Sequence, residues 1–469
     1  MGSKLLVRSY NVGCGDCTYV RIPNGNDHFH ILIDCGSKEG SSSGVMENAI
    51  KHMETNMLPD AAVAGKKRLD LVVVTHRHED HIKGFDPDFF ENIVIGNIWI
   101  TAAMDETHVQ AKQSLALHKF ASTQMQALAA SGAALSPELY DLVQLYGIGN
   151  TGATTALTQT LPQKNNIQVQ YVFAGKTSDD YGLAIDGTKI TVLAPEKDID
   201  GYYLGKEADE QLRGLRSASE EFMTKSMSIA KDKPTNISES DFRTLQSRLL
   251  SNGLAFAIND TKIQNNVSTV LLIEWKGRRL LFVGDAEWED EYEEGKTNGS
   301  WNVMWRERKA NLSAPIDFLK VGHHGSHNAT PWNRDAPPDQ EVNQIINAIL
   351  PLPVGNNKPT AQCIVSTKRK QYDTIPDAEL MSELGKRVRN TKNYLTVFQQ
   401  TDASFDPEND IYNYSVLKNY SKPPSPKEVG DKGWLDKEQP IRTDMESAGK
   451  GAKDMIQTAE FVDVELDPL

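Results

Sequence analysis

The sequence of 469 residues contains only four cysteines, too few for a disulfide framework in a chain of this length. We therefore expect a protein of the reducing cytoplasm. The sequence also lacks any run of 18 apolar residues, so no segment is predicted to span a membrane. The first eight residues are too charged and their apolar stretch too short for a signal peptide, so we expect no secretion.

Basic residues are fewer than acidic ones, and the formal net charge of the chain at pH 7 is −14. A broad nucleic-acid-binding surface relies on many Lys and Arg contacts to phosphates, and this composition argues against one. A local basic groove remains compatible with it, since bound metal ions would be the strongest positive charges of such a site.

The most informative stretch is a short apolar segment, Leu71–Val74, that leads directly into a cluster of histidines and an aspartate. Three of its four residues are β-branched, which predicts a buried strand. A surface turn that is rich in histidine by chance does not explain why the cluster directly follows an apolar strand. Two metal ions about 3.5–4 Å apart can clamp an attacking water and a leaving oxygen. The predicted ligands are His76, His78, Asp80 and His81.

The pattern His-x-His-x-Asp-His after a hydrophobic strand resembles the signature of the metallo-β-lactamase superfamily. The resemblance implies an α/β fold, the four-layer αβ/βα sandwich. It also implies a hydrolase that uses a metal-bound hydroxide at a dinuclear site. Imidazole and carboxylate ligands suit Zn²⁺, and Mn²⁺ is the alternative.

The opening of the chain narrows this resemblance. Residues 11–16 read Asn-Val-Gly-Cys-Gly-Asp, and residues 31–36 read Ile-Leu-Ile-Asp-Cys-Gly. Both are similar to the metallo-β-lactamase domain of ComEC-type DNA-uptake competence proteins, with Asn11 in place of an Asp and Cys14 in place of a Gln. The resemblance implies that Asp34 and, less strongly, Asp16 support the metal ligands. A redox or zinc role for Cys14 and Cys17 is the alternative, but no second cysteine pair follows.

The second half of the predicted metal site follows a strand over residues 280–283. Gly284 leaves room beside Asp285, which we predict to bridge the two ions. Many members of the superfamily carry a third-motif histidine near Asn265 and Asn266, where this chain has none. An asparagine, a water or a more distant ligand is expected to replace it.

The last signature, residues 319–326, reads Leu-Lys-Val-Gly-His-His-Gly-Ser and matches the competence-type pattern. We predict His323 as the ligand that completes the second metal, and His324 as a neighbour that orients substrate or protonates a leaving group. The sequence leaves the opposite assignment open. Lys83 stands where a glycine is usual, so it either contacts a substrate phosphate or points to solvent. His327 is a further candidate for phosphate contact.

Spacing and composition predict the remaining organisation. Residues 1–417 are expected to form the hydrolase domain, with a helical insertion at about 200–255, and residues 418–469 to form a charged, proline-containing tail. Phe461–Leu466 is expected to be an edge strand or a docking segment. A strand is predicted over Ile93–Ile100, a helix over Asp105–Ala130, and a loop over Asn150–Asn165. His108 and His118 in that helix are not predicted ligands.

These features predict a phosphodiesterase, most simply a nuclease. A basic cluster is compatible with a phosphate-binding groove, although a solvated charged face is the more usual explanation of such a cluster. The alternatives are a hydrolase of a small phosphodiester or ester, such as a cyclic nucleotide or a phosphocholine-like compound, and a non-catalytic scaffold. Protein partners are expected through the insertion or the tail. The members of the basic cluster are Lys368, Arg369, Lys370, Lys386, Arg387 and Arg389.

Overall fold

The computed structural model describes residues 4–38, 44–130, 142–143, 145–146, 148–206, 254–368, 375–393, 438–443 and 461–469. Most of the predicted helical insertion lies outside these residues, as do Arg369 and Lys370 of the basic cluster. None of the helices in the described ranges combines the length and the apolar character needed to cross a bilayer.

The strands form two large sheets. In chain order they are β1 (Leu5–Tyr10), β2 (Cys17–Asn24), β3 (Asp27–Cys35), β4 (Lys67–Leu69), β5 (Leu71–Val74), β6 (Ile93–Ile95), β7 (Ile98–Thr101), β8 (Val169–Val172), β9 (Thr188–Ala194), β10 (Val270–Trp275), β11 (Arg278–Phe282), β12 (Phe318–Val321), β13 (Gln362–Val365), β14 (Thr391–Asn393), β15 (Glu438–Arg442) and β16 (Phe461–Leu466). The first sheet has the order β16-β1-β2-β3-β5-β7-β8, and the second β14-β15-β13-β12-β11-β10-β9. A small sheet pairs β4 with β6.

Helices lie between and after these strands. Their bounds are Val45–Asn56, Glu79–Ile82, Lys112–Ala130, Ile148–Thr155, Leu161–Asn165, residues 254–266, Ser300–Leu312, Glu341–Ile349 and Ala378–Arg387. Shorter 3-10 or π turns occupy Ala102–Met104, Val109–Ala111, Ala156–Thr160, Asp179–Tyr181, Asp200–Leu204 and His323–Gly325.

Strand β5 shows why two sheets pack into four layers. Its side chains alternate between faces, and all four are buried, so both faces of the sheet are covered. Leu71 and Val73 enter the core between the two sheets, where they meet residues of β9, β10 and β11. Val72 and Val74 enter a second core under the helix Val45–Asn56, which contributes Ile50 and Met53.

The second sheet is covered in the same way on its outer face. Trp301 and Met304 of one helix, Ile346 of another and Leu384 of a third pack on Leu319 and its neighbours. Helices therefore cover the outside of each sheet, and the two sheets face each other. This is the predicted four-layer αβ/βα sandwich, and the fold prediction is confirmed.

Two segments after residue 417 belong to the sheets. β15 joins the second sheet by parallel pairing with β13, and β16 pairs antiparallel with β1, from Leu5 opposite Leu466 to Tyr10 opposite Phe461. Phe461–Leu466 is thus an edge strand of the first sheet. The predicted boundary at 417 does not separate the sheets from the C-terminal residues, because β15 and β16 lie beyond it and each pairs with a strand that precedes it.

The strand predicted over Ile93–Ile100 is divided into β6 and β7. The backbone N–H of Gly96 donates to Leu69 O, and a Cβ at this glycine would lie 2.8 Å from Asp70 O. This close approach turns the chain, so β6 pairs with β4 while β7 pairs with β5. The prediction of one continuous strand was wrong for this reason.

Two other predicted elements are corrected. The long helix begins at Lys112 instead of Asp105, because Asp105 accepts from the Thr107 N–H and hydroxyl in a local turn. The predicted loop over Asn150–Asn165 is helical. Threonine hydroxyls that favour loops bond inside the helix here, as Thr155 does to Thr151 O, and Leu157 packs in the core.

Candidate metal centre

The predicted site residues meet at one edge of the two sheets. β3, β5, β11 and β12 end there; the site side chain of β3 is its penultimate residue, and a site side chain follows each of the other three strands within a few residues. Parallel strands present their carboxyl ends at the same edge, which is where α/β folds bind ligands. The residues carried by these ends are Asp34, His76, Asp285 and His323.

Two glycines allow the segments to approach closely. A Cβ on Gly36 would lie 2.3 Å from the backbone carbonyl carbon of Asp80, so only glycine lets the end of β3 pack against the turn that bears Asp80 and His81. Gly284 has φ +53°, and a Cβ there would lie 2.8 Å from Thr75 Cβ. The Thr75 side chain therefore occupies the space that the glycine leaves beside Asp285.

One group of ligand atoms comes from His76, His78 and Asp285, which are all buried and lie within 4.8 Å of one another. The Nε2 atom of His76 is 2.9 Å from Nδ1 of His78 and 3.7 Å from Oδ2 of Asp285. Thr75 donates its hydroxyl proton to Asp34 Oδ2 and lies 3.1 Å from His76 Nδ1. It can therefore only accept from that nitrogen, so Nε2 of a neutral His76 presents its lone pair to the group.

A second group comes from His81, Asp285 and His324. Nδ1 of His81 lies 2.7 Å from Asp34 Oδ2, and its Nε2 lies 3.1 Å from Asp285 Oδ1. The Asp34 carboxylate therefore fixes which ring nitrogen carries the proton, as carboxylates behind metal-ligating histidines do. Asp285 presents one oxygen to each group.

His324 connects this group with Asp80. Its Nδ1 lies 3.1 Å from the carbonyl oxygen of Ser366, which can only accept, so Nδ1 carries a proton. Its Nε2 lies 3.1 Å from Asp80 Oδ2, and the Lys38 ammonium is 3.4 Å from that same oxygen. The Cys14 thiol belongs to a third group with Asp80 and His324.

Burial and neighbouring charges shift the pKa values of the site residues in different directions. Burial lowers the pKa of His76 and His78, to about 4 for His78, so both rings are neutral at pH 7. Burial opposes a charged His81 too, but the Asp285 and Asp34 carboxylates raise its pKa well above the ordinary value. Burial likewise opposes ionisation of Asp285, and the facing histidines, His81 foremost, hold its pKa well below the usual range.

The donor set fits divalent cations. Asp80 Oδ1 is buried and has no hydrogen-bond partner in the part of the chain described, and His81 Nε2 faces the Asp285 carboxylate at 3.1 Å. Buried polar atoms without partners are rare and costly, and a cation accepts several such lone pairs at once. Neutral imidazoles and carboxylates are the ligands that zinc and manganese take.

His323 occupies a different place from His324. Its ring is partly exposed, its Nε2 is 3.9 Å from Asp285 Oδ2, and its Nδ1 is 3.5 Å from Glu287 Oε1. Burial disfavours the charged ring, but the Asp285 and Glu287 carboxylates raise its pKa. The metal-binding groups among the described residues include His324 and not His323, although His323 faces the same carboxylate as His76.

The asparagines that replace the third-motif histidine serve Glu287 and the backbone. Asn265 Nδ2 donates to Glu287 Oε1, and Asn266 Oδ1 accepts from the N–H groups of Glu287 and Ser300. Asn266 is thus fully used for structure. Asn265 Oδ1 is buried without a hydrogen-bond partner in the described ranges, so it stays available as a ligand.

Other predicted residues lie outside the three groups. Lys83 is exposed, and its ammonium pairs with Glu79 one helical turn earlier. His327 is exposed and its ring packs 5.6 Å from that of Trp288. Arg387 is buried and pairs with Glu383, which also binds the exposed Lys386, so this one carboxylate offsets part of the charge of the basic cluster.

Histidines that the sequence did not predict as ligands have other partners. His108 Nε2 lies 2.7 Å from Lys197 O, and His118 Nδ1 lies 2.8 Å from Asp260 Oδ2. Cys14 and Lys38 are the site residues that the sequence did not assign to the centre. Cys14 stood out as a replacement for Gln and as half of a Cys-x-x-Cys pair, but neither observation assigned it to this centre. Lys38 lies in no recognised motif.

The backbone is strained at the centre. Asp34, His323 and His324 have φ of 55°, 41° and 54°, in the left-handed region that non-glycine residues rarely adopt. Each such residue costs on the order of 1–3 kcal/mol and persists only where surrounding contacts fix it. The carboxylate and imidazole contacts described above provide that fixation.

Comparison with known proteins supports the superfamily resemblance. Residues 11–96 match the model of the metallo-β-lactamase superfamily, a range that includes every residue of the His-x-His-x-Asp-His motif. The predicted superfamily signature is confirmed for this segment. No curated protein matches the chain.

Solved structures with similar shapes include a protein of unknown function from Enterococcus faecalis V583, with 10% identity and a TM-score of 0.28. The match covers 72% of this chain and 53% of that one, so this chain spans about half the length of that structure. Another is the metallo-β-lactamase fold protein YhfI from Bacillus subtilis, with 12% identity, a TM-score of 0.26, and coverage of 67% of this chain and 70% of that one.

Proposed function

We propose that this chain is a metal-dependent hydrolase in which two divalent cations would share the Asp285 carboxylate. The observation that carries the proposal is the placement of His76 Nε2 toward Oδ2 and His81 Nε2 toward Oδ1 of this one buried carboxylate. His76, His78 and Asp285 would hold the first ion, and His81, Asp285 and His324 the second. This assignment exchanges the roles that the sequence suggested for His323 and His324.

When bound, such ions supply Lewis acidity and lower the pKa of a water from 15.7 to about 7. The chain's own residues orient the reactants. Asp34 holds His81 in position. Burial opposes ionisation of Asp80, but Lys38 and His324 keep its pKa well below the usual range, so it stays an anionic partner for the cation beside His324. His323, whose pKa is raised, donates a proton to the leaving oxygen.

Lys38 takes the phosphate contact that the sequence suggested for Lys83. Its ammonium lies 3.4 Å from Asp80 Oδ2, whereas Lys83 pairs with Glu79 outside the metal-binding groups. A cation beside the ions stabilises the charge that develops on a phosphoryl group during attack.

The substrate that we propose is a phosphodiester of a nucleic acid. Two adjacent ions suit in-line displacement at phosphorus, because one stabilises the attacking oxygen and the other the leaving oxygen. The competence-type motifs at residues 11–16, 31–36 and 319–326 support the same class. The fold alone does not select a substrate, since one fold hosts many reactions.

The test uses the full chain, stripped with a chelator and reloaded with Zn²⁺ or Mn²⁺. Single-stranded and double-stranded DNA and RNA are offered beside bis-p-nitrophenyl phosphate. We expect metal-dependent cleavage of nucleic acid that Asp80→Ala abolishes, while Lys83→Ala, as the matched surface control, retains it. Intact nucleic acids in the presence of the loaded protein would contradict the nuclease proposal.

A small phosphodiester or ester is the second candidate, and a specific contact favours it. Arg387 is buried and pairs with Glu383, so this guanidinium of the basic cluster is not available to a nucleic-acid backbone. Turnover of bis-p-nitrophenyl phosphate or a cyclic nucleotide without cleavage of any nucleic acid would select this candidate.

A further inference from the structure

Cys14 lies within the centre and has no role in the hydrolysis derived above. Its Sγ, one oxygen of Asp80 and one ring nitrogen of His324 all lie within 4.8 Å of one another. The thiol side chain is 1% exposed, and Asp80 and His324 are 2% and 1% exposed. The three ligand atoms are therefore removed from bulk water.

The spacing suits ligands of one ion. Zinc binds sulfur at about 2.3 Å and nitrogen or oxygen at about 2.0–2.2 Å, so two of its ligands are at most about 4.5 Å apart. The group meets this bound with only a small adjustment. It shares His324 with the group of His81 and Asp285, so a single ion beside His324 is within reach of both sets.

A separate observation points to a ligand at this place. Asp80 Oδ1 is fully buried and has no hydrogen-bond partner in the described residues, although Oδ2 of the same carboxylate has both His324 and Lys38 as neighbours. A buried carboxylate oxygen without a donor is costly. A cation between this carboxylate, the thiol and the imidazole removes that cost.

The backbone holds Cys14 against Asp80. The carbonyl of Cys14 accepts from the Lys38 N–H at 2.8 Å, and the N–H of Asp16 donates to the Asp80 carbonyl at 2.9 Å. The loop after β1 is thus bonded on both sides of Cys14 to segments of the centre. The fold therefore fixes the backbone of Cys14 beside Asp80.

We infer that the Cys14 thiolate is a ligand of the second metal ion, beside His324, Asp80, His81 and Asp285. This inference rests on the proposed dinuclear centre and specifies its metal. A thiolate favours zinc over manganese, since soft ligands select zinc and oxygen donors suit manganese. The first ion has only imidazole and carboxylate among its described ligands, so the two positions differ in metal preference.

The test loads the full chain with Co²⁺ and records its absorption spectrum. A thiolate bound to Co²⁺ gives a sulfur-to-metal charge-transfer band in the near ultraviolet, which imidazoles and carboxylates do not give. We expect this band at two ions per chain, and its loss in Cys14→Ser and Cys14→Ala. The control variants Cys17→Ala and Cys363→Ala remove other buried thiols and should keep the band.

A band that is absent from the wild type at two ions per chain, or that persists in both Cys14 variants, would overturn the inference. X-ray absorption of the zinc-loaded wild type is a second measurement that needs no variant. One sulfur at about 2.3 Å from zinc supports the inference, and a shell of only nitrogen and oxygen overturns it. Hydrolysis is scored separately: activity without sulfur ligation refutes only the role of Cys14, and sulfur ligation without hydrolysis refutes only the proposed function.

Discussion

Asp34 Oδ2 and His81 Nδ1 lie 2.7 Å apart in the buried centre of the molecule. The same carboxylate accepts from the N–H and the hydroxyl of Thr75, the residue that precedes the His-x-His-x-Asp-His motif. One side chain at the end of β3 thus orients both the first turn of the motif and its last histidine. Asp34 acts on the ligands without belonging to any of the three metal-binding groups.

Asp34→Asn is expected to weaken metal binding about 10–100-fold, as changes behind metal ligands do. Asparagine tolerates the positive φ of this position, so the backbone should be kept. Its amide supplies at most one acceptor oxygen, so it cannot serve both Thr75 and His81. Titration of the stripped protein with Zn²⁺ by calorimetry measures the loss, and affinity equal to the wild type would contradict the role of Asp34.

Asp285→Asn is expected to lose more than the Asp34 variant, because it reduces the charge that both ions share. The bound metal should fall from two ions per chain to fewer than one, as measured by elemental analysis after gel filtration. Circular dichroism serves as the control for folding. Retention of two ions would refute a bridging role for Asp285.

His324→Asn and His323→Asn form a matched pair, since both positions have positive φ that asparagine accepts. We expect His324→Asn to hold one ion instead of two. His323→Asn should hold both ions and lose about 10²–10⁴-fold in turnover, the usual contribution of a general acid. Loss of an ion from His323→Asn alone would restore the assignment that the sequence favoured.

Lys320→Met is expected to destabilise the fold by about 3–5 kcal/mol, because it leaves the buried Asp16 carboxylate without its partner. The two side chains are 7% and 6% exposed and their charged atoms lie 2.6 Å apart. Adding Asp16→Asn should recover much of this loss in urea unfolding. Lys67→Met, which removes an exposed pair with Asp60, is the control and should cost about 0–1 kcal/mol.

His30 makes the stability of the metal-free protein depend on pH. Burial lowers the pKa of this ring to about 4, and Tyr19 Oη lies 2.6 Å from its Nδ1. An unfolded histidine has a pKa of about 6.5, so between about pH 6.5 and pH 4 the unfolded chain binds the extra proton. Stability is therefore complete above pH 6.5 and falls by about 3 kcal/mol as pH drops to 4.

The measurement is urea unfolding of the chelator-treated protein at pH 7, 5.5 and 4.5. His30→Gln should be less stable at pH 7 and should lose this part of the slope, since glutamine does not titrate. An unchanged slope in the variant would assign the pH dependence to other groups.

Much of the fold can be predicted from the sequence, because strands end at residues with a recognisable turn conformation or a recognisable site chemistry. Leu71–Val74 coincides with β5, which runs into the His-x-His-x-Asp-His motif. The strand predicted over residues 280–283 overlaps β11, which is followed by Gly284 with its positive φ. The division of the predicted strand at Gly96 could not be predicted, because it depends on a contact with Asp70 that exists only after the sheets have formed.

The centre was predictable in its residue types and not in its geometry. The motif identifies His76, His78, Asp80, His81 and Asp285 as neighbours, since strand ends converge. The choice between His323 and His324 depends on the left-handed backbone at both residues, which turns adjacent rings in different directions. Lys38 and Cys14 approach Asp80 through backbone hydrogen bonds that leave no pattern in the sequence.

The pairing of β16 with β1 joins segments that are separated by more than 400 residues, and Arg8 binds Asp463 across it at 2.6 Å. During synthesis β1 emerges first, and its outer edge stays open until residues 461–466 have been made. An uncovered edge strand is a template for pairing with other chains. This edge is therefore exposed while the more than 400 residues between the two strands are being made, and removal of residues 461–469 is expected to cause aggregation before it impairs chemistry at the centre.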